Sequence, residues 1–481
     1  MEQSEVIALA GWPPETIAYA YAMYSRSALS IRDSIRRITA EKSARFFESY
    51  YFSFGHASIA DNAHIPIALE RIPEIAAFEV EDEQLWDGQE RSTRYQIFEG
   101  GPIGCFTPIS IMRTSLAGDF SAVAEFLFDR YDRYSRLCKE YLIRQNPKSP
   151  EMKDADYERT MKARAFDVAR YWLFNGILTN VGQITSARVL ERQIARLGAS
   201  RYQASRDLAQ LMKKACQERP FCPEGKDELP VAPTLMKYAD PSEYLIGLRE
   251  FLTGLTDRVA IKPRESDRYV DLVKPPTKLD EILATLLYEV TPISYARLLE
   301  QVADWSWDIK EGVIREIMER RGPHDGHHRA FAAGMPYQFD ILMDIGGRRD
   351  LHRHRNCIQV HQPLSLLNGF ETPALIDEMG LGDEYRADMK KVGLWIGNMA
   401  RRMEEPQDAD YLIPFGFMSG TIYKMHLSEA LYIAELRSGV KGHFSYRDVA
   451  CRIDQLIRDE EVFLEGMTRV TPLSEVDLLN R

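Results

Sequence analysis

The segment Leu351–Asn356 reads Leu-His-Arg-His-Arg-Asn, which crowds Arg353 and Arg355 around His354 with His352 just before. Such a cluster repels itself unless an anion sits among the cations. Two guanidinium forks can hold phosphate or carboxylate groups bidentately, and the imidazole between them can donate to a cofactor ring or titrate near neutral pH. The plain alternative is a solvated basic loop, where arginine usually lies. Position argues for chemistry: the triplet follows an extended apolar stretch, QFDILMDIGG, and starts 26 residues after Gly326-His327. A returning strand or helix could bring these two polar groups together.

The N-terminal half carries a different set. In GQERSTRYQ, Glu90, Ser92, Arg94 and Tyr95 fall mostly at alternate positions, so an extended backbone would point them to one rim. Ser92 could equally be a turn or helix cap. The two halves are linked by an offset of 271 residues, which brings Tyr24 onto Tyr295, Arg26 onto Arg297, Gly55 onto Gly326 and His56 onto His327. This is the signature of a duplicated unit. At the same offset Arg353, His354 and Arg355 meet Asp82, Glu83 and Gln84, so the basic triplet exists once. Eight of the ten histidines lie between His324 and His443. His324, His327 and His328 could ligate a metal with Asp325, as in a metal-dependent hydrolase, but the helical spacing H-E-x-x-H is missing and no metal ligand is assigned.

These pieces resemble the flavin-dependent thymidylate synthases. That family's signature is R-H-R followed several residues later by E-x-S-x-R-Y, with a G-H-x-S turn upstream. The first half has Gly55-His56-Ala57-Ser58 and Glu90 to Tyr95 but lacks the triplet; the second has Gly326-His327 and Arg353-His354-Arg355 but lacks S-x-R-Y. Leu412-Ile413-Pro414 and the helix closing on Leu436-Arg437 look like the family's L-P turn and long helix, with a first-half counterpart in Ala163–Arg196. The resemblance implies two tandem lobes of an α+β fold, each a small antiparallel sheet packed by long helices. Arg353, His354, Arg355, His327, Arg437 and His56 would hold FAD. Glu90, Ser92, Arg94 and Tyr95 would hold deoxyuridylate (dUMP), with Arg94 on its phosphate. NADPH and methylenetetrahydrofolate would be cosubstrates for conversion to dTMP, with no side-chain nucleophile, because the cofactor carries the hard chemistry. Arg94 and Arg353 would then line one cleft. Family members are homotetramers, so a fused chain implies a homodimer with four lobes. A third reading is that both sites have decayed, leaving a binding or scaffolding protein.

Composition frames these readings. At 481 residues, two domains are expected. The first lobe is placed at 1–220, a proline- and charge-rich connection at 221–276, and the second lobe at 277–481. Hydrophobic residues make up 45% and charged residues 28%, and no apolar run is long enough for a bilayer. A net charge of −11 disfavours bulk nucleic-acid binding. The acidic start is unlike a signal peptide, and Cys105, Cys138, Cys216, Cys222, Cys357 and Cys451 show no paired spacing; both fit the cytoplasm. Helical periodicity is read at Ala40–Tyr51, Tyr157–Leu197, Lys278–Leu287, Ile293–Met318 and Tyr423–Leu436, and extended segments at Ala63–Leu69 and Tyr337–Met343.

Overall fold

A computed structural model describes residues 7, 9, 11–25, 29–49, 57–98, 104–221, 229–237, 239–259, 268–323, 325–475, 477 and 479. Arg26, Gly55, His56 and His324 lie outside the described residues. Among those described, no helix is long and apolar enough to cross a membrane. The fold is α+β, with two small antiparallel sheets and long helices. The chain forms two compact units: Met1–Ile72, Leu85–Glu90 and Asn180–Glu243 make one, and Pro73–Gln84, Arg91–Thr179 and Tyr244–Arg481 the other.

In the first unit, strands β1 (His64–Pro73), β2 (Asp87–Glu90) and β3 (Leu178–Ser186) form a sheet in the order β1-β3-β2. β2 runs antiparallel to β3, from Asp87 opposite Ile184 to Glu90 opposite Val181. Burial alternates along β3, as one covered face requires. The Ser186 side chain then caps the helix Ala187–Gly198 by accepting from the Val189 amide at 3.3 Å.

The second unit contains β4 (Tyr269–Leu272), β5 (Tyr337–Asp344), β6 (Ile358–His361) and β7 (Met418–Met425), in the order β4-β5-β7-β6. β5 and β7 are buried at every position because both sheet faces are covered. Phe339, Ile341, Met343, Tyr423 and Met425 join a core with Ile433, Val449 and Ile453. Val360 and Ile422 join another with Leu283, Leu286 and Leu298. Polar strand residues on this side are satisfied: Asp340 accepts from Tyr288 Oη at 2.8 Å and from the Tyr295 amide at 2.7 Å. Lys424 donates to Glu281 at 2.8 Å and to Thr285 at 2.9 Å. β4 lies within the span expected to be a connection, yet pairs with β5 from Tyr269 opposite Leu342 to Leu272 opposite Phe339.

The repeat is written in the elements. Helices Glu74–Glu81 and Ile345–His352 are offset by 271, as are β2 and β6. The strand orders β1-β3-β2 and β5-β7-β6 are equivalent. By β3 and β7 the offset has shortened to 240, the first half containing the additional helix Asp154–Ala169. The identity Tyr24/Tyr295 does not mark equivalent environments, since Tyr24 is exposed and Tyr295 is buried.

Four expected elements differ. Ile293–Met318 is two helices, Tyr295–Ala303 and Trp307–Arg320. Tyr157–Leu197 is not one helical run: helix Asp154–Ala169 gives way to β3, whose sequence LTNVGQITS alternates in burial. Tyr423–Met425 belongs to β7, and the helix begins at Leu427. GQERSTRYQ is not extended throughout. β2 ends at Glu90, and Ser92 then makes a local turn, its Oγ accepting from the Arg94 amide at 3.2 Å and its carbonyl from the Gln96 amide at 3.0 Å. A single rim for Glu90, Ser92, Arg94 and Tyr95 is therefore not formed.

Candidate functional site

Helix Ile345–His352 leads into the basic triplet. Asp344 starts it, accepting from the Gly347 amide at 2.6 Å and from Ser445 Oγ. Gly347 is needed by close approach: a Cβ there would lie 2.5 Å from Ser445 Oγ and 2.6 Å from Met343 Cε. The helix ends at His352, and the triplet follows it. Arg353 is exposed, Arg355 half-buried and His354 buried.

His354 Nε2 accepts from Arg437 Nε at 2.7 Å, and its Nδ1 faces Glu429 Oε1 at 3.4 Å. Burial, and then the neighbouring Arg437 charge, push the imidazole down to about 3, so the ring is neutral. Arg437 also lies over the Tyr446 ring at 5.4 Å, and Arg94 approaches the same ring at 5.6 Å. Arg94 is only 9% exposed. Its Nε and Nη2 donate to Asp167 at 2.7 and 3.2 Å, Nη1 to Tyr446 Oη at 2.9 Å, and Nη2 also to the Lys441 carbonyl at 3.3 Å.

A second carboxylate completes the cluster. Asp350 accepts from Arg170 Nη2 at 2.9 Å. Burial alone would raise its carboxyl, but Arg170, followed by Arg94, His443 and Arg437, holds it well below the usual carboxylate range. His443 donates from Nε2 to the Asp167 carbonyl at 2.8 Å and accepts the Ser445 amide at Nδ1 at 3.2 Å. Burial, then Arg170, pushes it down to about 3. Arg94, Arg170 and Arg437 are thus interleaved with Asp167, Asp350 and Glu429.

The sequence pattern of the thymidylate synthase complementing protein family matches residues 5–223 and 264–460. The chain belongs to this family. A UPF0159 protein of Chlamydia pneumoniae is 24% identical over 510 residues, covering 99% of this chain and 93% of the relative. One from Chlamydia muridarum is 24% identical over 519 residues with the same coverage, and one from Thermoplasma acidophilum is 22% identical over 482 residues, covering 91% of each. The two matched regions of the thymidylate synthase complementing protein pattern correspond to the two halves of the repeat.

Within this family member, the proposed ligand residues do not form one group. Arg437 and Arg94 converge on Tyr446, and His354 joins them through its bond to Arg437, with Arg353 and Arg355 adjoining His354 in the chain. Tyr95 lies after the serine turn and is 52% exposed, while Glu90 ends β2 in the other compact unit. His327 is exposed and neighbours Arg321 and Phe331. His56 lies outside the described residues. Sequence reasoning missed Asp167, Arg170, Asp350, Glu429, His443 and Tyr446. Asp167 and Arg170 close a helix three residues apart, a spacing that places two polar side chains on one face. No local signal tied that face to Arg94.

The Asp325 group is otherwise engaged: Asp325 accepts from the Gly322 amide at 2.9 Å and His328 faces Glu289 at 3.1 Å. Among the described residues, Asp82, His352 and His361 form a group of three whose possible ligand atoms lie within 4.8 Å of one another.

Proposed function

We propose that this protein is a flavin-dependent enzyme of the thymidylate synthase type, converting dUMP to dTMP, with one composite site per chain built from both halves of the repeat. The convergence of Arg94 and Arg437 on Tyr446, with His354 bonded to Arg437, carries this reading. FAD fits the outer part of the cluster. Arg353 is exposed without an ion-pair partner among the described residues, and Arg437 uses only Nε toward His354, so both can offer donors to phosphate oxygens. Exposed Tyr432, 5.7 Å from the His354 ring, adds an aromatic surface. A flavin bound there would, when reduced, supply hydride, with methylenetetrahydrofolate as one-carbon donor and NADPH as reductant. The chain's own residues orient and neutralise: Glu429 fixes the His354 ring, and that ring fixes the Arg437 fork. The proposed assembly is a cytoplasmic homodimer with four lobes.

The nucleotide end supports a second reading. The Arg94 donors are committed to Asp167, Tyr446 and Lys441, so a substrate phosphate would have to exchange with the Asp167 carboxylate. A flavin-binding protein that takes no nucleotide phosphate at Arg94, and so does not turn over, would have no need of that exchange. The purified full chain separates the two by its visible absorption and by thymidylate formation from dUMP, methylenetetrahydrofolate and NADPH. Bound flavin with turnover supports the first reading. Bound flavin without turnover supports the second, and absence of both flavin and nucleotide binding overturns both.

A further inference from the structure

A partly buried constellation lies beside the basic triplet but is not used by the flavin reading. Asp82 follows the helix Glu74–Glu81, His352 ends the helix Ile345–His352, and His361 ends β6. All three belong to one compact unit. His352 Nε2 lies 3.8 Å from Asp82 Oδ1, His361 Nε2 lies 4.0 Å from the same oxygen, and the three ligand atoms all fall within 4.8 Å of one another. Bonds of about 2.0–2.2 Å to one tetrahedral or octahedral ion would set such atoms roughly 3–3.6 Å apart, so modest contraction would complete a site.

The surroundings orient His361 and Asp82 through hydrogen bonds and stack His352, whose Nδ1 is buried without a hydrogen-bond partner. His361 Nδ1 is engaged by Thr421 Oγ1 at 3.0 Å, which leaves Nε2 facing Asp82; that nitrogen is buried without a hydrogen-bond partner. Orientation of a ligating imidazole through its other nitrogen is the usual outer support of such a site. Phe78 stacks on His352 at 4.1 Å and meets His361 edge-on at 4.9 Å, fixing both rings. Arg329 grips Asp82 at 2.9 and 2.7 Å and donates to the Gln359 carbonyl at 2.8 Å, fixing the orientation of the carboxylate. Glu289 and Glu83 offset the Arg329 charge.

The arrangement exists once per chain. At the 271-residue offset, Glu81 and Glu90 stand where the second half has His352 and His361, and Arg353 stands opposite Asp82. The triad therefore mixes a carboxylate from one half with imidazoles from the other.

We propose that Asp82, His352 and His361 bind a divalent transition-metal cation of the Zn²⁺, Fe²⁺ and Co²⁺ class. Two imidazoles and one carboxylate suit such borderline ions, whereas Ca²⁺ and Mg²⁺ favour oxygen ligands. Three protein ligands leave coordination positions for water or another small ligand.

The test uses the full chain, stripped by chelator and titrated separately with Zn²⁺ and Co²⁺, with bound metal measured after dialysis and Co²⁺ followed by its visible ligand-field bands. One ion per chain is expected, with bands characteristic of nitrogen and oxygen ligation. His361→Gln and Asp82→Asn should abolish the stoichiometric site, and Thr421→Val should weaken it by about ten- to a hundred-fold because it removes only the orienting contact. His426→Gln, at an exposed histidine outside the triad, should leave it intact. Failure of the unaltered protein to retain either ion overturns the proposal, as does metal binding unchanged by both His361→Gln and Thr421→Val.

Discussion

Replacing Arg94 by methionine tests whether this arginine is committed to the fold or held ready for a ligand. The Arg94 and Asp167 side chains are 11% and 5% exposed, and the carboxylate accepts two guanidinium N–H groups. Removing one partner of a buried pair leaves the other charge uncompensated, a loss of about 3–5 kcal/mol. Tyr446 Oη and the Lys441 carbonyl also lose a donor. Arg94→Met should therefore lower the unfolding free energy by at least about 3 kcal/mol. Adding Asp167→Leu should recover about 2 kcal/mol or more, because the double variant buries no lone charge. Urea unfolding of both single variants and the double variant, followed by circular dichroism and tryptophan fluorescence, gives the cycle. An Arg94→Met protein within about 0.5 kcal/mol of the parent, with additive double-variant behaviour, would refute the structural commitment. Arg94 would then be a free anchor whose loss appears only in nucleotide binding.

Lys424→Met should destabilise the second unit by about 3–5 kcal/mol in the same assay, since it strands Glu281 beneath β7; a loss below about 1 kcal/mol would contradict the buried pairing. His354 and His443 are pushed down to about 3 from 6.5, so the unfolded chain binds more protons between those values and their contribution to stability is lost as pH falls through that window. Asp340, raised to about 6, acts in the opposite sense. Urea midpoints measured from pH 7 to 4 should fall less steeply in His354→Gln and His443→Gln, and more steeply in Asp340→Asn. Arg353→Ala should loosen bound flavin by about ten-fold or more in a fluorescence titration, while Gln84→Ala, at the position matching Arg355, should change it little. Equal effects would remove the division of labour between the halves. Light scattering should give a dimer; a monomer at working concentration would refute the four-lobed assembly.

Much of the architecture could be read along the chain. The apolar run of β5 and the periodicity of Lys278–Leu287 announced themselves locally, and the 271-residue offset describes two helices and two strands without adjustment. β3 was concealed because its preceding helix and the apolar residues Tyr171–Phe174 keep a helical phase until Asn175 and Gly176 intervene. β4 was concealed by its charged flanks, although its four residues complete a sheet edge. At the candidate site, the residue types of the triplet and of Arg94 were visible, but their neutralisation was not. Asp167 lies 73 residues from Arg94 and Tyr446 lies 352 residues away, distances over which side-chain pairing leaves no periodic trace.

The interrupted paths of the two units impose an order on the chain's birth. Arg94 leaves the ribosome with Asp167 only 73 residues behind, so its charge partner arrives early. Tyr446 follows 352 residues later, roughly 20–70 s at synthesis rates of about 5–20 residues per second. Until Met425 has been added, Phe120, Leu127 and Tyr131 belong to a unit whose central strands have not all been made. A nascent chain stalled before residue 418 would lack β7, and should be a stronger client for chaperones than its nearly complete length suggests.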